Sequence, residues 1–301
     1  VGRVCMDRPG INPEYYRDES VQEAMDATRA TIEHIRKIDP GFDTVAPIIT
    51  PRFAPSCTPE SMKLLSELQK KEGLIAQTHI SENVPELCLV KELYPDSKSY
   101  ADVYDKYGLL NDKMILGHAV HLTLEEMDLI SQRKSKIAHC PCSNNAIGSG
   151  SAPVRCMWDK GIQIGLGTDV GAGYSSSILE VARQAMLVSR HPCQDREGQD
   201  GEKAKLTIEE VLYLGTGGGA ECVGLQDKIG GFEVGKEWDA QLIGLGGVPD
   251  PDAYDASIEP SSVDIFGWES WEEMLAKWLY TGDDRNVKKV WVKGRLVHSR
   301  N

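Results

Sequence analysis

The sequence predicts an α/β fold built on a parallel sheet, with a small β subdomain after it. Three observations predict it. Short apolar runs alternate in series with helical patterns through the first two thirds of the 301 residues. Arg52, His79, His118, His139 and Asp169 stand where those apolar runs stop, and a (β/α)8 TIM-type barrel places its catalytic groups at the C-terminal ends of its strands. No Gly-rich phosphate turn follows an early strand, which counts against an open doubly wound sheet.

The elements follow in order. Val1 to Asp7 reads as the closing half of a buried strand. Glu19 to Lys37 is a helix, with Val21, Ala24, Met25, Thr28, Ile32 and Ile35 on one face. Thr44 to Thr50 reads as a strand ending in Pro51-Arg52-Phe53. Thr58 caps a helix that has Pro59 in its first turn and runs to about Lys71. A strand then ends at His79, and a helix spans Val84 to Leu93. Met114 to Gly117 is a strand ending at His118, and Thr123-Leu124-Glu125-Glu126 opens a helix as a capping box. Lys136-Ile137-Ala138 leads to His139-Cys140-Pro141. A short helix over Val154 to Lys160 precedes a strand, Ile162 to Gly167, that ends at Thr168-Asp169, and Ser177 to Ser189 is helical. Gln194 to Lys205 is charged and Gly-rich and reads as a surface loop, and Thr216 to Gly219 reads as a helical turn against the barrel. Beyond Leu225, Ile229 to Ile243 and Val287 to Val297 alternate as hairpins around Gly235-Lys236 and Lys293-Gly294, with a helix from Trp268 to about Leu279 between them.

The expected organisation is a barrel over residues 1–225 and β-subdomain strands with an intervening barrel helix over residues 226–301. Five whole strands and a stub are countable, so the barrel runs from about its third strand onward, and two to three strands are expected before Val1.

Composition narrows the function. Lys plus Arg number 33 against 46 Asp plus Glu, a net charge of -13. That field repels phosphate backbones and anionic bilayers, so neither nucleic acid nor membrane is an expected partner. No apolar run reaches the roughly 20 residues of a membrane span. The eight cysteines follow no disulfide ladder and read as reduced thiols of a cytoplasmic protein.

Four groups carry candidate chemistry. His79 and Glu82 share the run Gln77-Thr78-His79-Ile80-Ser81-Glu82. A strand ending at His79 with a loop curling Glu82 back would place an acid beside an imidazole. Zinc lowers the pKa of bound water to about 7, and a neighbouring carboxylate can carry its proton to a leaving amine. Without a metal, the pair is a strand-end His and a helix-capping Glu. His118 either binds metal, orients the attacking water, or is a satisfied core residue. Asp169 is a metal ligand, an Arg partner or a cap. Arg52 and Phe53 bind a carbonyl oxygen and stack on a flat ring, or make a surface ion pair and a core contact. Pro141-Cys142-Ser143-Asn144-Asn145 lacks the second Cys of a cytidine-deaminase-type zinc motif, so cysteine ligation is not expected.

Together, Pro51-Arg52-Phe53, His79-Ile80-Ser81-Glu82, Gly117-His118, His139-Cys140-Pro141, Gly167-Thr168-Asp169, Gly235-Lys236-Glu237-Trp238-Asp239-Ala240 and Gly282-Asp283-Asp284-Arg285-Asn286 resemble the guanine deaminases of the amidohydrolase superfamily over essentially the whole chain. The resemblance implies hydrolysis of guanine to xanthine and ammonia with one zinc ion per subunit, in purine catabolism, by a homodimer. It implies His79 and Asp169 as metal ligands. Glu82 would be the proton shuttle, and His118 would hold water or substrate. Arg52 and Phe53, with His79, Glu82 and Asp169, would contact the purine. Asp169 would also act as a base. The family's His-x-His pair is absent from this chain, so two further His ligands are expected upstream of Val1. The chain alone is then expected to bind zinc weakly and not to turn over. The competing readings are an amidohydrolase of another heteroaromatic substrate (8-oxoguanine or triazine type) and a non-catalytic truncated isoform.

Overall fold

The structure, a computed structural model, describes residues 1–191, 201–247 and 261–300. Its centre is a six-stranded parallel sheet in sequential order. The strands are β1 (Val4–Cys5), β2 (Ile48–Pro51), β3 (Ile75–Ile80), β4 (Met114–His118), β5 (Lys136–His139) and β6 (Ile164–Leu166). Neighbour-to-neighbour parallel pairing in chain order is the arrangement of a (β/α) barrel wall.

The helices between the strands begin where side chains can satisfy their free N–H groups. In α1 (Val21–Ile38) the Ser20 hydroxyl accepts from the Glu23 amide. In α2 (Pro59–Glu72) Thr58 accepts from Ser61, and the helix stops at Gly73 in the left-handed region, φ 66°. Helix α3 (Val84–Leu93) opens on an Asn83–Glu86 capping box. Helix α4 (Tyr100–Lys106) follows, then α5 (Leu124–Gln132) on a Thr123–Glu126 box. Glu126 does more than cap, because its Oε1 accepts from the Ala101 amide at 3.0 Å and ties α5 to α4. Next come α6 (Pro141–Ala146), α7 (Val154–Asp159), α8 (Ile178–Val188), α9 (Ile208–Gly215) and α10 (Gly217–Cys222).

The core lies between sheet and helices. Ile49, Ala76, Ile80, Met114, Leu116, Ile137 and Ile164 bury their strand faces against Met25, Leu65, Met127, Ile130 and Met157. Gly218 shows how close the last layer comes. A Cβ there would sit 2.5 Å from the Ile164 carbonyl oxygen, so only glycine lets α10 lie on β6.

After α10, strand β7 (Ala240–Ile243) joins β10 (Val287–Val292) and β11 (Arg295–Ser299) in a three-stranded antiparallel sheet. Strands β8 (Gly246–Gly247) and β9 (Asp264–Ile265) pair separately, and α11 spans Trp271–Thr281. The β10–β11 hairpin turns at Lys293-Gly294 as the sequence predicts. The hairpin expected around Gly235-Lys236 does not form. Residues 229–239 are turn and irregular chain, with Gly230 and Gly235 at φ 87° and 101° and the Glu237 amide bonded to the Lys228 carbonyl at 2.7 Å. Ala240–Ile243 pairs instead with β10, more than forty residues away. Strand β2 begins at Ile48 rather than Thr44, because Asp39 holds the Thr44 and Val45 amides in a turn. The expected loop at 194–205 lies mostly outside the described residues.

Candidate active site

The ends of β2, β3 and β4 converge. His79, on β3, and Glu82, two residues beyond that strand, bring ligating atoms within 4.8 Å of one another and of His118. The imidazoles of His79 and His118 meet edge to face, with ring centroids 5.1 Å apart. Strand geometry alone would not allow this. His79 pairs with Gly117 and Ile80 with His118, so a regular pleat would send the two imidazoles to opposite faces. His118 has φ 72° and Ala119 φ 54°, and this left-handed turn breaks the alternation where β4 ends. Such backbone in non-glycine residues costs about 1–3 kcal/mol and gathers at functional sites. Ser81 (φ 50°) and Asp169 (φ 45°) share it.

The backbone of these loops is tied down. The Ser81 carbonyl accepts from the Val120 and His121 amides, and Ile80 from Ala119, which staples the two loops together. The fully buried Tyr104 hydroxyl donates to the His79 carbonyl at 2.7 Å and accepts from the Ala54 amide at 3.0 Å. Glu86 Oε2 accepts from the Glu82 amide at 2.7 Å while Oε1 takes the Tyr100 hydroxyl at 2.8 Å.

Burial, then the His118 imidazole, pushes His79 down to about 4, with the Arg52 cation in the same direction and the Asp169 carboxylate opposing. His79 is therefore uncharged at neutral pH, the form in which an imidazole binds metal. Imidazole and carboxylate donors suit zinc, and His79 has a carboxylate near it in both Glu82 and Asp169, so the residues present fit such an ion. Asp169 stands three residues past β6, half-buried, outside the group of three but close enough for its charge to act on His79. Gly167 permits the approach of this strand end, since a Cβ there would meet Cys140 Sγ at 2.8 Å.

Arg52 and Phe53 follow β2. The Phe53 ring lies 6.2 Å from that of His79, and the Arg52 guanidinium 5.8 Å from Phe53. The Arg52 guanidinium contacts Met6 Sδ at 3.8 Å and forms no ion pair among the described residues. His139 does not join the group. Strand parity puts it on the helix side with Ile137, 1% exposed. Burial pushes Cys140 up to about 12, so it offers no thiolate at neutral pH.

Sequence reasoning missed Tyr104, Glu86 and Asn144. Asn144 Oδ1 lies 3.0 Å from His118 Nδ1. The Tyr100/Tyr104 spacing on one helix face was the available signal for Tyr104. Asn144 sits on α6, a helix that no periodic pattern in the sequence marks.

A sequence model of the amidohydrolase family matches residues 1–297. The probable guanine deaminase of Schizosaccharomyces pombe is 48% identical over 297 residues, which are 99% of this chain and 54% of that protein. The solved E. coli guanine deaminase superposes with a TM-score of 0.81 at 35% identity, covering 100% of this chain and 64% of its own. That of C. acetobutylicum, solved with guanine bound in its active site, gives 0.80 at 34%, covering 99% and 65%. The chain thus spans between half and two thirds of the length of these relatives. The family match begins before β1 and ends within β11, and the sequential parallel sheet agrees with it: the chain belongs to the amidohydrolase family.

Proposed function

We propose that the protein carrying these residues hydrolyses guanine to xanthine and ammonia, a reaction of purine catabolism, in the cytoplasm and as a homodimer. One observation carries the reading: the His79, Glu82 and His118 donors converge at the strand ends, beside Arg52 and Phe53. The likeness to guanine deaminases supports the substrate. We assign residues 1–225 to the barrel and 226–301 to the β subdomain with its intervening helix.

His79 and Asp169 would hold one zinc ion per subunit, which when bound supplies Lewis-acid activation of the attacking water. Glu82 takes a proton from that water and delivers it to the exocyclic nitrogen. A C–O bond forms, the C–N bond breaks and ammonia leaves. Asp169 acts as a second base toward the same water, and His118 holds water or substrate in place. Arg52 donates to an acceptor on the purine, and Phe53 packs on its ring. A catalytic zinc takes three protein ligands. Beyond the two assigned here, the likeness to guanine deaminases implies a His-x-His pair that these 301 residues lack, so we propose that two further imidazoles complete the site from other polypeptide. We expect these residues alone to hold zinc weakly and not to turn over.

The test is ammonia release by the full-length protein, with guanine compared against 8-oxoguanine and an aminotriazine. Guanine should be the preferred substrate; release from another ring and none from guanine sinks the assignment. In the full-length protein, Glu82→Gln should keep its zinc by metal analysis and lose about 10²–10⁴-fold in kcat, since an amide moves no proton. Loss of the metal in that variant would instead make Glu82 a ligand.

A further inference from the structure

The segment His139-Cys140-Pro141-Cys142-Ser143-Asn144 closes β5 and builds α6, and neither its imidazole nor its thiols enter the donor group. What it delivers to the site is Asn144. This residue is 1% exposed, and its backbone N–H bonds the Cys140 carbonyl at 3.0 Å as part of α6. Its Oδ1 lies 3.0 Å from His118 Nδ1. Glu82 Oε1 is the second oxygen near that nitrogen, at 3.7 Å.

The Asn144 oxygen is within hydrogen-bond distance of Nδ1 and the Glu82 oxygen lies beyond it. With an acceptor facing Nδ1, the neutral ring carries its proton there and Nε2 keeps its lone pair. The two oxygens are not equivalent. Glu82 stands on a loop and has proton transfer to perform, so its charge changes during the reaction. The amide of Asn144 cannot ionise, and it is fixed on a helix packed under α8. His118 also sits in left-handed backbone at a strand end, buried, with the His79 ring edge to face against it.

We propose that Asn144 is a positioning residue that sets the tautomer and ring plane of His118, leaving Nε2 as the acceptor. This deepens the deaminase reading, in which His118 holds water or substrate. The opposite amide orientation would aim a donor at Nδ1, move the ring proton to Nε2 and reverse the polarity of the group.

The test reads the tautomer directly, by long-range ¹H–¹⁵N correlation in [¹⁵N]histidine-labelled protein. The His118 signals are assigned by their loss in His118→Gln. Wild type should show the Nδ1–H form. Asn144→Asp keeps an acceptor oxygen and should preserve it. Asn144→Ala should give a mixture or the Nε2–H form, with kcat about 10–100-fold lower and KM little changed in the full-length protein. An Nε2–H wild type, or a tautomer unchanged in Asn144→Ala, overturns the proposal. If Asn144→Ala does not fold, loss of the Nδ1–H form in Asn144→Asp overturns it equally. The tautomer is read without turnover. A protein inactive on guanine that still shows the Asn144-dependent tautomer would refute the deaminase reading and leave this one standing.

Discussion

His139 shows how a single residue misleads and then informs. It ends an apolar strand like His79, and strand-end position alone does not distinguish the two. Strand parity separates them, sending His139 among the helices, where both ring nitrogens are buried without a partner among the described residues. Burial, then the nearby His118, holds it uncharged down to about 4. The unfolded chain takes a proton at about 6.5, and the native one does not. The stability from this group is therefore complete above about pH 6.5 and is lost as pH falls toward 4. Between about pH 7 and 5 the loss is about 2 kcal/mol for one such histidine. Urea midpoints at those two pH values should lie closer together in His139→Gln than in wild type; an equal spacing would show that His139 is not the titrating group. The roles of His79, Glu82 and His118 are of another kind, since two imidazoles and a carboxylate at strand ends suggest metal hydrolysis from residue type alone. What was not legible was the left-handed turn at His118, because sequence carries no signal for a positive φ at a non-glycine residue.

At the scale of elements, local chemistry was the reliable guide. Thr58-Pro59 and the Thr123–Glu126 pair start helices as their sequences specify, because those caps involve only neighbours along the chain. The helix expected from Trp268 starts three residues later, at Trp271, where Ser270 and Glu273 form a capping box. The hairpin expected at Gly235-Lys236 failed for the opposite reason. Alternation shows that a segment can pair but not with what, and β7 found β10 instead of its neighbour. The α10–β6 contact yields a sharp expectation. Gly218→Ala places a methyl 2.5 Å from the Ile164 backbone oxygen, which no side-chain rotation relieves. It should cost about 1–3 kcal/mol in chemical denaturation. A neutral substitution would mean that α10 lies farther from the sheet.

The whole molecule divides its stability unevenly between two sheets. Strands β3, β4 and β5 are backed by a continuous core, whereas every residue of β11 is exposed and β10 is no more than half-buried. Amide hydrogen exchange should follow that contrast. Strands β3–β5 should open only with global unfolding, and β10–β11 at lower free energy. Uniform protection across both sheets would contradict it. The sequence by itself determined the repeating strand–helix order, the helix starts and the residue types of the site. These depend on periodicity, capping and chemistry that neighbouring residues already contain. Only the tertiary structure decided which strand-end residues face one another, that β7 pairs with β10, and that Asn144 reaches His118. Those outcomes rest on pleat parity, backbone twist and contacts between residues far apart in the chain, and no local pattern encodes them.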